Sequence, residues 1–373
     1  MDLVVHNARL MTCDPARPGL GLIDQGAVAI RGGAVVWAGP DGERPRADRE
    51  LNAHGQLVTP GLVDCHTHAI FAGDRAREFG MRADGKTYLE IAAAGGGIAA
   101  SLAPTRAASD DALALALINR LTLANAAGTT TIEVKTGYDL TAAGELRLLR
   151  VIGDVARGRA QRVVPTLLAH LIPPERRNDR DAFVAEIRDR WIPDAAAQGL
   201  ATSLDVYCDE GAFTLAETRA LFAAARAAGL AVRGHVGQFR DLGGAELLGE
   251  VSGLSADHLE QVSDAGVAAL ARAGTVAVML PGACIQLRLP VPPVERLRAA
   301  GVAMAVASDL NPGSSYCESL PIQLWLATTH YGMTIDEAWL GVTRHAARAL
   351  NAADAGTLVP NARGDLVIWD YDD

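Results

Sequence analysis

The amino-acid sequence predicts an α/β fold: a (β/α)8 TIM-type barrel with a small β-sandwich domain built from both chain termini. Three observations lead to this prediction. The chain has 373 residues, of which 49% are apolar and 21% charged, so it can bury the core of one large domain. Its middle alternates apolar runs of strand type with alanine-rich helical stretches, whereas both of its ends show only short strands and turns.

The barrel is predicted from eight apolar runs in the middle of the chain. Helical stretches separate most of them; one spans Asp110 to Ala127, with Ser109 as its N-cap and Gly128 after its end. Strands that alternate with helices form parallel sheets, and eight such units form a closed barrel. The runs lie at residues 57–65, 129–134, 162–169, 203–208, 230–234, 254–257, 275–280 and 302–307.

An open, doubly wound sheet is the alternative to a barrel. Such a sheet carries a glycine-rich, phosphate-binding turn after its first strand. In this chain the first run is followed by Cys65-His66-Thr67-His68 instead, which favours the barrel.

The small β domain is predicted from residues 1–58 together with residues 355–373, which leaves residues 59–354 for the barrel. Near the N-terminus, two strand-like runs flank Arg31-Gly32-Gly33, a sequence typical of a hairpin turn. The chain ends in a further strand-like run from Gly364 to Asp370. Because the two ends resemble each other more than the middle, we expect them to share one domain.

Charge and cysteine content narrow the range of partners. The formal net charge of −10 argues against nucleic acid or an anionic membrane as the main partner, but it leaves room for a small anion. The five cysteines are widely spaced and form no CxxC pair, so neither a disulfide framework nor a thiolate zinc site is indicated. No signal peptide or membrane-spanning run is evident, and we expect a cytoplasmic protein.

Two histidines follow the first apolar run. Because side chains alternate along a strand, His66 and His68 point to the same side and can bind one divalent metal ion. The pair alone would fit two solvated loop histidines equally well. Further polar residues at later strand ends shift the balance, because catalytic groups of such barrels lie at the carboxyl ends of the strands. These residues are Glu133, Lys135, Tyr138, His170, Asp209, Glu210, His235, Gln238, His258 and Asp309.

A metal site can be assembled from this set. His66, His68, His235 and Asp309 offer three imidazoles and one carboxylate, a combination that suits Zn²⁺ and also iron. A metal ion held in this way lowers the pKa of a bound water and turns it into a nucleophile near neutral pH.

The sequence resembles the amidohydrolase superfamily and, within it, the imidazolonepropionase family, through nearly the whole chain. The histidine pair is common to the superfamily, whereas the segments after it are more specific. The segments that carry the resemblance are residues 58–68, 71–75, 91–98, 133–138, 255–260, 280–283 and 308–315.

The resemblance implies an activity and a cofactor. The activity is hydrolysis of the cyclic amide of 4-imidazolone-5-propanoate, a small anion, to N-formimidoyl-L-glutamate in histidine degradation. One divalent or trivalent metal ion per chain, Zn²⁺ or iron, is implied, with His66, His68, His235 and Asp309 at the ligand positions. A homodimer is implied as well.

The resemblance also implies roles for individual residues. Asp309 moves the proton, His258 stabilises the oxyanion, and Gln238 orients the substrate. The alternative function is that of a related deaminase acting on an amino-substituted heterocycle, but many such enzymes have a glutamate where Gln238 stands. A third possibility is an inactive barrel that binds a ligand. The residues at substrate-contacting positions are Arg75, Tyr138, His170, Gln238, Asn311, Gly313 and Ser314.

Overall fold

The computed structural model describes residues 1–86, 90–91 and 94–370. These residues contain a parallel sheet of eight strands and a second sheet of six strands, which confirms the predicted fold class. The strands are β1 (Leu3–Met11), β2 (Leu22–Arg31), β3 (Ala34–Pro40), β4 (Arg49–Asn52), β5 (Leu57–Pro60), β6 (Leu62–Asp64), β7 (Thr129–Lys135), β8 (Arg162–Ala169), β9 (Ser203–Cys208), β10 (Ala231–Val236), β11 (Ser255–His258), β12 (Val276–Met279), β13 (Met304–Val306) and β14 (Leu366–Ile368).

Helices follow most strands of the parallel sheet. The helix predicted from Asp110 is present, and its N-cap Ser109 accepts a hydrogen bond from the backbone N–H of Ala112 at 3.2 Å. Among the described residues, no helix is long and apolar enough to cross a membrane. The α-helices are α1 (Ala76–Ala83), α2 (Ala99–Ala107), α3 (Asp110–Ala126), α4 (Ala142–Arg157), α5 (Arg180–Glu186), α6 (Ile192–Ala197), α7 (Leu215–Ala227), α8 (Gly244–Glu250), α9 (Asp264–Ala273), α10 (Pro281–Leu287), α11 (Val294–Ala299), α12 (Leu320–Thr329), α13 (Ile335–Gly341) and α14 (Arg344–Ala349). A π-helical segment, Ile187–Trp191, joins α5 to α6, and 3-10 helices span Asp41–Glu43 and Pro174–Asp179.

The parallel sheet runs in chain order from β6 to β13 and closes on itself just beyond these two strands. At the seam, Thr67 forms a parallel bridge with Leu310. The N–H of His68 donates to the carbonyl of Leu310 at 2.8 Å, and the N–H of Asp309 donates to the carbonyl of His66 at 3.0 Å. Closure of the barrel therefore places the histidine pair directly beside Asp309.

The first apolar run is two strands, and our prediction of one strand over residues 57–65 was wrong. β5 pairs with β14 in the small sheet, whereas β6 begins the barrel. The break falls at Gly61, where a Cβ atom would lie 2.0 Å from the Thr130 hydroxyl oxygen, so the chain needs glycine to pass there. Burial does not change at this break: Thr59 and Pro60 before it and Leu62 after it are all buried.

Both termini contribute to the small sheet, whose strand order is β14-β5-β1-β2-β3, with β4 pairing beside β1. The predicted hairpin between β2 and β3 is present, and Gly32 and Gly33 have φ angles of 57° and 77°, which favour glycine. The predicted domain boundaries of 1–58 with 355–373 and of 59–354 stay a prediction; β5 runs to Pro60.

Candidate metal centre and substrate cavity

The four predicted metal ligands lie together at the carboxyl ends of the barrel strands. Ligand atoms of His66, His68 and His235 all lie within 4.8 Å of one another, and all three residues are buried. The Nε2 atoms of His68 and His235 are 3.2 Å apart. One carboxylate oxygen of Asp309 lies 3.5 Å from Nε2 of His66 and 3.4 Å from Nε2 of His68.

This arrangement fits one metal ion. Nδ1 of His66 lies 2.6 Å from Asp257, and Nδ1 of His235 lies 2.8 Å from Asp205, so each Nε2 directs a lone pair inward. Nε2 of His66 has no hydrogen-bond partner among the described residues. Lone pairs at such distances repel unless a cation lies between them. With bonds of about 2.1 Å, the ligand atoms of a tetrahedral zinc ion are ~3.4 Å apart, which matches these separations.

The histidines of the centre are neutral. Burial, followed by the positive charge of Lys135, lowers the pKa of His66 well below its ordinary value and that of His68 to about 3. Burial also lowers the pKa of His235 to about 4, although the nearby Asp205 carboxylate raises it in part. Neutral imidazole is the form that binds metal ions.

A layer of buried charges lies beneath the ligands. The ammonium of Lys135 is 2.8 Å from both Glu133 and Asp205, and the guanidinium of Arg233 is 2.9 Å from Asp257. The side chains of all five residues are fully buried. Because an unpaired charge at this depth is costly, each member depends on the others. Our sequence analysis missed Asp205, Asp257 and Arg233, although charged residues inside apolar strands were a usable signal.

The segment that carries the histidine pair is fixed to the second barrel strand. Glu133 accepts a hydrogen bond from the N–H of Thr67 at 3.0 Å, and the Thr67 hydroxyl donates to the Glu133 carbonyl at 2.6 Å. The glutamate thus connects the metal centre to the charged layer through Lys135.

Two residues expected to act in catalysis have unusual backbone angles. His258 has a φ of 82°, its neighbour Leu259 a φ of 71°, and Asp309 a φ of 49°. Residues other than glycine rarely adopt positive φ, and such strain of about 1–3 kcal/mol per residue concentrates at functional sites. The rings of His258 and His235 are 5.4 Å apart, so His258 lies at the edge of the centre.

The charge state of His258 depends on its acidic neighbours. Burial lowers its pKa, but Glu260, with a carboxylate oxygen 3.8 Å from Nδ1, and the charges of Asp309 and Asp257 raise it more. The pKa of His258 therefore lies above its ordinary value, in contrast to those of His66, His68 and His235.

A cavity opens from the metal centre. The predicted substrate-contacting residues all line it, together with His258 and Asp309. The cavity is also lined by residues that sequence analysis did not single out, among them Arg82, Tyr207 and Phe239. Nothing in the spacing of these residues marks them, because they lie on loops, on α1 or one position before a strand end. The predicted lining residues are Arg75, Tyr138, His170, Gln238, Asn311, Gly313 and Ser314.

His170 and Tyr138 form one wall of the cavity. Nδ1 of His170 lies 2.9 Å from the carbonyl of Gly137 and donates to it, so Nε2 is an acceptor. Burial lowers the pKa of His170 to about 3, and the ring stacks on His68 with centroids 5.4 Å apart. Burial raises the pKa of the Tyr138 phenol, which therefore stays protonated as a donor.

Gln238 has a defined orientation. The hydroxyl of Tyr207 donates to its side-chain carbonyl at 2.9 Å, which leaves the amide NH2 as the group available to a ligand. The backbone N–H of Gln238 donates to Asp209 at 2.7 Å, and Asp209 also accepts the N–H groups of Phe239 and Arg240. Asp209 thereby shapes the turn that follows β10.

The Asn311 side chain shapes a turn as well. Its carbonyl accepts the N–H groups of Gly313 and Ser314 at 2.8 and 2.7 Å, and its NH2 donates to the carbonyl of Asp309 at 2.6 Å. We expected this amide to hold a polar end of the substrate. In the structure it is engaged within the turn, which links Asp309 to Gly313 and Ser314, two other residues that line the cavity.

Arg75 also lines the cavity and forms a two-point ion pair. Its Nε and Nη2 atoms donate to the two carboxylate oxygens of Glu78 at 2.8 and 2.6 Å. A Cβ atom on Gly313 would lie 2.0 Å from Nη1 of Arg75, so the turn needs glycine because the guanidinium packs against it.

Comparisons with known proteins show the family of this chain. The profile of the amidohydrolase family matches residues 57–373. An imidazolonepropionase of Acidiphilium cryptum is 48% identical over 376 residues, covering 100% of this chain and 93% of that protein. One of Methylobacterium nodulans is 47% identical, covering 100% and 94%. A zinc-bound adenosine deaminase structure from Xanthomonas campestris shares the fold, with a TM-score of 0.69, 17% identity, and coverage of 100% of this chain and 85% of that one.

The family match covers far more than half of the chain, and the full-length relatives share nearly half of its residues. The chain therefore belongs to the amidohydrolase family and, within it, to the imidazolonepropionase group.

Proposed function

We propose that this protein hydrolyses the cyclic amide of 4-imidazolone-5-propanoate to N-formimidoyl-L-glutamate, a step of histidine degradation. One observation carries the proposal: a single cavity is lined by His68, His235 and Asp309 and also by Arg75, and His66 lies beside the first three as the remaining imidazole. A ring amide and a carboxylate at opposite ends of a small molecule match these two groups. The names of the full-length relatives support the same reaction.

We propose that His66, His68, His235 and Asp309 hold one metal ion, zinc or iron. When bound, this ion would supply Lewis-acid activation of a water molecule and of the ring carbonyl. Asp205 and Asp257 keep the imidazoles of His235 and His66 in the orientation and tautomer that ligation needs.

The proposed proton carrier is Asp309. Burial raises its pKa, while His258 and His235 act in the opposite direction. A carboxylate beside the attacking water can act as a general base and then as a general acid. It takes a proton from the attacking water and delivers it to the ring nitrogen as the carbon–nitrogen bond breaks. His258, whose pKa is raised, donates to the oxygen on which negative charge develops.

The remaining lining residues orient the substrate. Nε2 of His170 accepts from a ring N–H, and the NH2 of Gln238 and the phenol of Tyr138 donate to polar atoms of the substrate. Arg75 binds the propanoate carboxylate. Because the protein carries a net charge of −10, it needs such a local cation to bind an anionic substrate. Ser314 and the backbone at Gly313 lie beside Arg75 on the turn.

Deamination of an amino-substituted heterocycle fits the site less well. Gln238 cannot exchange protons, and its carbonyl is already held by Tyr207. The metal-activated water is shared by both reactions, so the product distinguishes them.

The experiment is an assay with freshly generated imidazolonepropanoate, combined with elemental analysis of the purified protein. We expect formation of N-formimidoyl-L-glutamate, with about one zinc or iron per chain and loss of turnover on chelation. A protein that contains stoichiometric metal but leaves imidazolonepropanoate unchanged contradicts the proposal. Release of ammonia from an amino-heterocycle by the same preparation would indicate the deaminase instead.

Three further expectations accompany the proposed function. The protein is a homodimer in the cytoplasm, its substrate is a small anion, and neither nucleic acid nor a membrane is its partner. Size determination in solution tests the first of these directly.

A further inference from the structure

A second arginine lines the cavity next to Arg75. Arg82 lies one to two helical turns further along α1, and 13% of its side chain is exposed. Its Nη1 donates to the carbonyl of Gly313 at 3.0 Å, so it reaches the same turn against which Arg75 packs. The other Arg82 atoms lie farther from partners; Nη2 is 3.7 Å from the Glu78 carboxylate.

Glu78 determines which donors of Arg75 remain. It engages Nε and Nη2 of Arg75, and it also accepts the backbone N–H of Gly97 at 3.0 Å. Among the described residues, Nη1 of Arg75 has no hydrogen-bond acceptor. Of the five N–H groups of Arg75, Glu78 therefore uses two, which leaves both on Nη1 and one on Nη2 for a ligand.

The charges of this group are unbalanced. Two guanidiniums face one carboxylate, which leaves one positive charge at the end of the cavity. A ligand with one carboxylate neutralises it. Arg82 is the neighbouring cation that lines the same cavity, and because Glu78 cannot balance both guanidiniums, Arg82 can donate to such a carboxylate as well.

We propose that Arg82 is a second ligand of the substrate carboxylate, so that Arg75 and Arg82 both donate to it while Glu78 holds Arg75 in place. This inference rests on the proposed function for the identity of the substrate. Under this inference Arg82 recognises the propanoate group of the substrate and takes no part in the reaction at the ring.

The test compares Arg82→Gln with Arg77→Gln. Arg77 is exposed on the same helix, so its substitution removes the same charge outside the cavity. Binding of imidazole-4-propanoate and of its neutral analogue imidazole-4-propanamide is measured by calorimetry on the metal-loaded protein. Turnover of imidazolonepropanoate is measured in parallel, and unfolding temperatures monitor the fold.

We expect Arg82→Gln to weaken propanoate binding about tenfold or more, the size of a lost charge-assisted hydrogen bond, and to change propanamide binding less than threefold. KM for imidazolonepropanoate should rise by a similar factor with kcat nearly unchanged, and Arg77→Gln should behave like the wild type. Equal weakening for both ligands would show that Arg82 only braces the Gly313 turn, and it overturns the inference, as does unchanged propanoate binding.

Failure of the proposed function is separable from failure of this inference. A wild-type protein that binds imidazole-4-propanoate but does not hydrolyse imidazolonepropanoate refutes the proposed reaction, while the calorimetric comparison still decides the role of Arg82. A wild-type protein that does not bind the propanoate overturns both.

Discussion

The two ends of the cavity are built in different ways. The proposed metal end is formed where barrel strands terminate, and the histidines proposed as ligands are held by a fully buried set of carboxylates and cations. The anion end is formed by α1 and by the turn from Asp309 to Ser315, and its arginines depend on one carboxylate, Glu78. The closed sheet fixes the first end through many neighbours, whereas a short helix and a turn fix the second.

We therefore expect the metal end to determine the rate of the reaction and the anion end to determine which substrates bind. Substitutions at the metal end should lower turnover or metal affinity by large factors. Substitutions at the anion end should mainly change the concentration of substrate that the protein needs. Asp309 belongs to both ends, since it is a proposed metal ligand and also the first residue of the turn that forms the anion end.

The largest effect is expected from Asp309→Asn. The amide cannot carry a proton between water and the leaving nitrogen, so kcat should fall by about 10²- to 10⁴-fold. Steady-state assays check this, with metal content and unfolding temperature as controls for an intact site. Turnover close to that of the wild type in a metal-loaded variant would remove Asp309 from its proposed role.

A smaller effect is expected from Asp257→Asn, beneath the metal end. The variant loses the charge that orients His66 and compensates Arg233, so metal affinity should drop by roughly 10- to 100-fold. Competition with a chromogenic chelator measures it. Asp181→Asn, at an exposed position on α5, is the matched control. Equal affinity of both variants would mean that the buried carboxylate is not needed to orient the ligand.

At the anion end, Gly313→Ala tests the contact between the turn and Arg75. The new methyl group would lie 2.0 Å from Nη1, and Glu78 holds the guanidinium against moving aside. We expect KM to rise about tenfold, the cost of one displaced charge-assisted contact, with metal content unchanged. Gly42→Ala is the control, because a Cβ there meets nothing within 4 Å. A variant with normal KM would show that substrate binding does not depend on the position of the Arg75 guanidinium against Gly313.

The smallest effect is expected from Gly80→Ala, inside α1. The added Cβ meets nothing within 4 Å, and alanine is the better helix former, so the free energy of unfolding should rise by about 0.5–1 kcal/mol. Thermal or denaturant unfolding measures the change. A destabilised variant would mean that α1 does not have the helical geometry on which the position of Arg82 depends.

The residues of the metal end could be grouped from the sequence because the barrel topology determines which strand ends lie together. Parallel strands bring their carboxyl ends together, so His66, His68, His235 and Asp309 could be grouped across long separations. Asp205 was missed because it lies inside a strand, and Asp257 because its neighbour His258 was assigned the functional role at that strand end. A charge in a buried strand nevertheless requires a partner. The split between β5 and β6 was missed because apolar residues, Leu57 and Val58 before it and Leu62 and Val63 after it, continue across it.

The anion end was predicted only in part. Resemblance pointed to Arg75, but nothing in the sequence showed that Glu78 occupies two of its nitrogens. Arg82 and Tyr207 carry no spacing signal, because their place in the cavity depends on how α1 and β9 pack in the folded barrel. The use of the Asn311 amide within its own turn likewise became visible only from the hydrogen bonds.

The most direct test of the two-ended cavity is a crystal structure of the metal-loaded protein with imidazole-4-propanoate. We predict a metal ion bound by Nε2 of His66, His68 and His235 and by the Asp309 carboxylate. The imidazole ring should lie next to it, and the propanoate should contact Arg75 and Arg82. A ligand bound in the reverse direction, with its carboxylate on the metal and its ring between the arginines, would contradict the account.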